Sequence, residues 1–170
     1  MKRKSSGFYY TLTFSIKFKC TTTIFPLSNS LLDDHDCCYF AHCYPYTYSR
    51  LCKFLDNLEK QTSRKNTFRR KQLVETIAGN SCDYLVITNF ESDIESNCRK
   101  KGIVLSGRVH PGETSNSHVM ESVLDFLTGP QEEAKELRDN FIFKVVPMLN
   151  PDGVVCGNYR CNLAGVDLNR

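Results

Sequence analysis

No stretch of this sequence approaches the ~18 consecutive apolar residues that a membrane-spanning helix needs, so no membrane partner is expected. Met1–Lys4 is basic enough to open a secretory signal. The apolar run of ~7–15 residues that must follow is broken by Thr11, Thr13, Ser15 and Lys17. Charge of one sign is scarce too: a formal net charge of +3 gives no electrostatic reason to expect nucleic acid. The sequence contains no C-x-x-C pair and no visible internal repeat. These absences together point to a soluble, cytoplasmic chain with reduced thiols.

The 170 residues, 41% hydrophobic and 24% charged, suffice for one domain with a core. Nine cysteines is a high and odd number. Cys37, Cys38, His42 and Cys43 could in principle hold zinc, but structural sites favour two separated ligand pairs, so reduced and mostly buried thiols are expected instead. The basic run Arg64, Lys65, Arg69, Arg70 and Lys71 reads as a solvated surface stretch, with contact to an acidic partner as the alternative.

Tyr10, Leu12, Phe14, Ile16 and Phe18 alternate with polar residues, which is the pattern of a half-buried strand; Cys37–Cys43 reads as a second. Residues 20–36 between them read as a long loop. Pro45 closes that region. Leu51, Phe54, Leu55 and Leu58 then share one face of a helix starting near Ser49. Residues 61–71 read as an exposed connection. Leu73–Ala78 and Tyr84–Thr88 read as strands joined by Gly79-Asn80-Ser81. A charged connection, 91–101, leads to a strand over Gly102–Val109, whose continuous apolarity suits burial on both faces. A helix over Ser115–Leu127, with Val119, Val123 and Phe126 on one stripe, ends at Gly129-Pro130. His118, Glu121 and Asp125 read as its solvated side. A second helix, Gln131–Asn140, carries acids in its first turn and Arg138 in its last, matching the helix dipole. Phe141–Leu149 is a strand, and Asn150-Pro151-Asp152-Gly153 a turn. Strand, helices, strand is an α/β arrangement.

The chemistry concentrates in Gly107-Arg108-Val109-His110-Pro111-Gly112-Glu113. Imidazole nitrogen and carboxylate oxygen are both zinc ligands, and Pro111-Gly112 bends the backbone so that His110 and Glu113 can converge. An isolated H-x-x-E is weak evidence. Here it is followed by PMLNPDGV, GNYRC and GVDLNR, and this ordered set resembles the zinc carboxypeptidases, specifically their cytosolic carboxypeptidase branch. The segments FYYTLTFSIKF, CYFAHCYPYTYS and LCKFLDNLE look like that branch as well.

The resemblance implies the following. Residues 1–43 would be the end of a β-sandwich domain, with 20–36 an insertion, and 44–170 the N-terminal half of a mixed-sheet α/β peptidase domain. His110 and Glu113 match the first two Zn2+ ligands. Arg160 matches the arginine that stabilises the developing oxyanion, and Asn169 with Arg170 the pair that grips the substrate's C-terminal carboxylate. A guanidinium fork suits a carboxylate, and fixed positive charge beside a carbonyl lowers its barrier to attack. The family's third ligand, a histidine, and its general-base glutamate would fall after Arg170. The expectation is therefore that these residues alone are inactive, as a gene-model fragment or a truncated isoform. Acidic, tubulin-like C-terminal tails are the implied partners, with glutamate as the residue removed. A non-catalytic chain that binds such tails is the alternative.

Overall fold

The computed structural model describes residue 41 and residues 43–170. The β-sandwich strands, the 20–36 insertion and the Cys37-Cys38-His42 cluster expected from the sequence lie outside the described residues. A helix, α1 (Tyr48–Lys60), starts at a Thr47 cap whose side chain accepts from the Arg50 amide at 3.1 Å, and it buries Leu51, Leu55 and Leu58 as its spacing requires. A short 3-10 turn, Thr62–Arg64, leads into β1 (Phe68–Glu75) and β2 (Ser81–Ile87), which pair antiparallel. Gly79, at φ 77°, supplies the positive backbone angle of the turn between them.

β1 begins at Phe68, inside the stretch expected to be a connection. The basic run is in fact partly internal. Arg70 reaches Asp56 (2.7 Å) and Glu59 (3.3 Å) on α1 and Asp83 (2.7 Å) on β2, fastening helix to sheet. Arg64 pairs with Asp125 at 2.9 Å. Only Lys65, Arg69 and Lys71 of that run are exposed.

A helix within the second connection, α2 (Ile94–Arg99), is capped by Asp93. β3 (Lys101–Ser106) follows, then α3 (Thr114–Thr128), α4 (Glu132–Asn140), β4 (Phe141–Val146) and α5 (Pro151–Cys156). The sheet order is β1-β2-β4-β3, with β4 antiparallel to β2 and parallel to β3. The helical crossover α3–α4 is what a parallel pair demands. The fold is a mixed α/β layer, as expected.

Five readings need correction. β3 is not covered on both faces: it lies at the edge of the described sheet, and Val104 is 71% exposed. The buried stripe of α3 is Met120, Leu124 and Leu127, while Val119 and Phe126 face outward. Its acids are not merely solvated either, since Glu121 holds Arg50 at 3.0 Å and Asp125 holds Arg64. Arg138 is buried and serves the preceding helix, donating to the Leu127 and Gly129 carbonyls at 2.8 and 3.0 Å. His118 is half-buried, edge-on to the Tyr46 ring.

Leu55, Leu58, Leu85, Ile87, Leu124, Val145 and Met148 form the centre of the core. Burying each such side chain contributes ~1.5–3 kcal/mol. Of the described cysteines, Cys82 alone is buried; Cys52 and Cys161 are half-buried and Cys43, Cys98 and Cys156 are exposed, so the expectation of mostly buried thiols does not hold among them. Among the described residues no helix is long and apolar enough to cross a membrane.

Candidate active site

Two neighbouring parallel strands end side by side, so whatever follows each is brought to the same edge of the sheet. Here Ser106 of β3 is paired with Val146 of β4. The segments leaving them stay bonded: Gly107 N–H donates to the Val146 carbonyl at 3.0 Å, and Leu149 N–H to the Gly107 carbonyl at 2.9 Å. One segment carries His110 and Glu113; the other leads through α5 to Arg160.

The first segment is an unusual turn. Arg108 has φ 55°, a left-handed conformation that costs a non-glycine residue ~1–2 kcal/mol. Its buried side chain offsets this. Nε donates to the Pro111 carbonyl at 2.8 Å, and Nη1 to the Tyr46 carbonyl and Ser117 Oγ at 3.2 and 2.7 Å. These bonds tie the turn to α3 and to the segment before α1. Burial pushes the guanidinium's pKa down from its ordinary value, but an arginine stays charged. Gly112 N–H donates to the Tyr159 carbonyl at 2.7 Å, closing the turn onto the Arg160 segment.

The second segment opens not with a free turn but with α5. Pro151 occupies its first position, and Asn150 caps it by accepting from the Gly153 amide at 3.0 Å. The same Asn150 donates from Nδ2 to the Val109 carbonyl at 3.2 Å, bracing the turn beside His110. Asp152, also buried, accepts from Thr76 Oγ1 (2.5 Å), Asn80 Nδ2 (2.8 Å) and the Ala78 amide (3.1 Å). It anchors α5 to the β1–β2 hairpin. Burial works to raise its pKa, but the bonds from Asn80, Thr76 and Ala78 prevail and hold it below the usual carboxylate range.

His110 is 5% exposed and stands between two carboxylates. Its Nδ1 lies 3.1 Å from Glu113 Oε1, and its Nε2 lies 3.0 Å from Asp167 Oδ1. Asp167 Oδ2 in turn accepts from Arg160 Nε at 2.6 Å. The backbone N–H of Asn169, then Arg160 and His110, hold the Asp167 carboxyl well below the usual range, against the opposing effect of burial. Asp167 is therefore ionised, and the tautomer with the ring proton on Nε2, facing Asp167, is the one that would leave the Nδ1 lone pair toward the Glu113 oxygen. Two lone-pair atoms at that separation are suited to sharing a cation. Two ligands bound ~2.1 Å from one zinc ion lie about 3.0–3.4 Å apart. The pair thus fits two positions of a zinc set, with Asp167 as the carboxylate behind the histidine. Among the described residues, no group of three or more His, Cys, Asp or Glu side chains is arranged to hold an ion.

The structure thus brings His110, Glu113 and Arg160 together. It does not draw in the side chains of Asn169 and Arg170. Both are exposed; Asn169 contributes its amide to Asp167 at 3.0 Å, and the Arg170 guanidinium bonds the Asn169 carbonyl at 3.0 Å. Sequence reasoning missed Asp167 and Arg108. Asp167 stands two residues before the Asn-Arg pair, a spacing that could have marked it. No signal in the sequence distinguishes Arg108 from a surface arginine.

A model of the zinc carboxypeptidase family matches residues 51–170. Cytosolic carboxypeptidase 2 of Xenopus tropicalis is 50% identical over 137 residues, 81% of this chain and 14% of that protein. Cytosolic carboxypeptidase 3 of Bos taurus is 51% identical over 135 residues, covering 79% of this chain and 13% of the relative. Human cytosolic carboxypeptidase 2 is 44% identical over 162 residues, 95% and 16% of the two chains. This chain therefore spans about one seventh of the length of the curated relatives it matches. Among solved structures, a metallo-carboxypeptidase from Burkholderia cenocepacia superposes with a TM-score of 0.64 at 30% identity, over 74% of this chain and 33% of that one. Carboxypeptidase A from Helicoverpa armigera shares the fold, with a TM-score of 0.57 at 21% identity over 69% of this chain and 28% of its own.

Proposed function

The chain belongs to the zinc carboxypeptidase family, and from that premise we propose that its residues serve the metal-dependent hydrolysis of C-terminal residues from acidic protein tails, glutamate foremost, in the cytoplasm. The observation that carries this reading is the single carboxylate of Asp167 joining His110 to Arg160. A candidate ligand pair and a fixed positive charge joined in this way support the reading, because hydrolysis of a carbonyl needs both at one point.

His110 and Glu113 would hold the zinc. When bound, zinc polarises a carbonyl and makes its water acidic enough to attack at neutral pH. The chain's own residues do the rest. Asp167 fixes the ring of His110 and its tautomer. Arg160 spends Nε on Asp167, and its two terminal nitrogens have no partner among the described residues, so they remain available to a carbonyl oxygen gaining charge. Asn169 and Arg170, adjacent and exposed, supply an amide and a guanidinium fork for a terminal carboxylate. Tubulin-like tails rich in glutamate are the substrate class in this reading. The names of the relatives, cytosolic carboxypeptidases, support the carboxypeptidase activity and the cytosolic location, and specify no side chain.

The test is zinc content and binding of the purified 170-residue chain beside His110→Ala, with release of glutamate from a C-terminal polyglutamate peptide measured in parallel. Stoichiometric zinc that is lost in the variant supports the ligand assignment. Equal zinc in both overturns it. Zinc without glutamate release places these residues in the tail-binding role alone.

A further inference from the structure

Beside the ligand turn lies a cleft of about 310 Å³, walled by Tyr46, Arg108, Pro111, Gly112, Thr114 and Tyr159 among others. Two features set it apart. First, among the described residues that line it, Arg108 is the one charged side chain, and none is acidic. Second, Arg108 is 2% exposed yet forms no ion pair among the described residues; its three bonds go to neutral oxygens, and Nη2 takes part in none of them. Buried charges in folded proteins are as a rule paired, because an uncompensated one costs several kcal/mol. The other buried or half-buried guanidiniums near the helices have their acids: Arg70 has three, and Arg64 has Asp125. Arg138, the remaining exception, is consumed by capping α3.

The cleft is also placed to meet a substrate. Pro111 and Gly112 lie between the two ligand residues, Thr114 follows Glu113, and Tyr159 precedes Arg160, so cleft and site share a wall. Asn169 and Arg170, assigned to the terminal carboxylate, do not line it. A peptide whose scissile carbonyl faces Arg160 would therefore have this cleft next to it.

We propose that this cleft is an acidic-residue subsite, in which the unpaired Arg108 receives the side-chain carboxylate of one residue upstream of the scissile bond. The proposal rests on the carboxypeptidase reading and deepens it, assigning the preference for acidic tails to a residue outside the metal set. Arg108 would bind through the open side of its fork, its other nitrogens staying on Tyr46, Pro111 and Ser117. The left-handed backbone at Arg108 would then have a function, since it turns the guanidinium under the ligand turn, in the wall of the cleft.

The test uses the purified chain supplied with zinc and a fluorescein-labelled hexaglutamate, its upstream glutamates changed to glutamine one at a time. Fluorescence anisotropy should find one position, within about three residues of the C-terminus, whose change weakens binding about tenfold, and others changing it less than about twofold. Arg108→Met should weaken the all-glutamate peptide about tenfold and abolish the difference at that one position. A loss spread evenly over all positions overturns the proposal, as does a variant still sensitive at the same position. Should Arg108→Met fail to fold by circular dichroism, the peptide scan on the unaltered chain decides alone. A C-terminally amidated peptide separates the two readings. Amide bound as well as free acid overturns the carboxypeptidase reading, and this proposal with it. Preference for the free acid with a flat glutamine scan overturns the cleft only.

Discussion

Asp167 stands between His110 and Arg160, 3.0 Å from the ring Nε2 of one and 2.6 Å from the Nε of the other. Fifty-seven positions of sequence separate the histidine from this carboxylate, and the parallel pairing of β3 with β4 brings them together. Asp167→Asn should therefore lower zinc affinity about 10- to 100-fold, the range for removing a carboxylate behind a ligand histidine. Competition with a chromophoric chelator measures it; unchanged affinity would detach Asp167 from the metal set.

Gly112 has no room for a side chain. A Cβ there would lie 2.3 Å from Tyr159 Cδ2 and 2.8 Å from the Tyr159 carbonyl oxygen. Gly112→Ala should destabilise the chain by ~1–3 kcal/mol through overpacking, and weaken zinc binding by shifting the turn. Gly102→Ala, where a Cβ meets nothing within 4 Å, is the control and should change urea stability by less than about 0.5 kcal/mol. Equal effects at the two positions would refute the steric account.

Removing the buried Asp152 carboxylate leaves Thr76, Ala78 and Asn80 without their acceptor. Asp152→Ala should cost about 2–4 kcal/mol at neutral pH by urea unfolding. Because the folded-state pKa is depressed, this contribution is fully present above the unfolded value of ~3.9 and is lost as pH falls through the lower folded value. The gap between wild type and variant should therefore narrow in acid. A gap that stays constant down to pH ~2 would show that the carboxylate's ionisation is not what stabilises the hairpin contact.

The two faces of α3 can be told apart by truncation. Leu124 is 0% exposed and Leu124→Ala should cost ~3 kcal/mol, whereas Val119, 59% exposed, should tolerate alanine within about 0.5 kcal/mol. Comparable losses at both would mean that the outward face is buried in solution against something else.

Much of this protein was legible from residue order alone. The periodicity of Leu51, Leu55 and Leu58 marks α1 because a helix repeats every 3.6 residues and its buried face must follow. The Gly-Asn-Ser break marks the hairpin because only glycine takes the positive φ of its turn at little cost. The ligand pair His110–Glu113 was visible because both residues sit in one short turn, and the ordered segments around it identified the family. Local signals failed where a residue's partners are distant in sequence. Arg70 read as a surface charge, and Arg138 as a match to the dipole of its own helix, because nothing nearby in sequence reveals Asp83 or the end of α3. Val119 and Phe126 made as good a stripe on paper as Met120, Leu124 and Leu127. Which stripe is buried depends on how α3 is rotated against the sheet.

Sequence, then, determined which groups are available: an imidazole, a carboxylate, a guanidinium and the turn residues that can crowd them together. Tertiary structure decided their states. Asp167 became the carboxylate that fixes His110 only because two parallel strands end at the same edge of the sheet. Arg108 became a buried cation without an acid because a left-handed residue turned it inward among backbone oxygens. The physical reason is the same in both cases. Burial and neighbouring charge, which set what a titratable or charged group does, are properties of three-dimensional surroundings and are written nowhere in a residue's own identity.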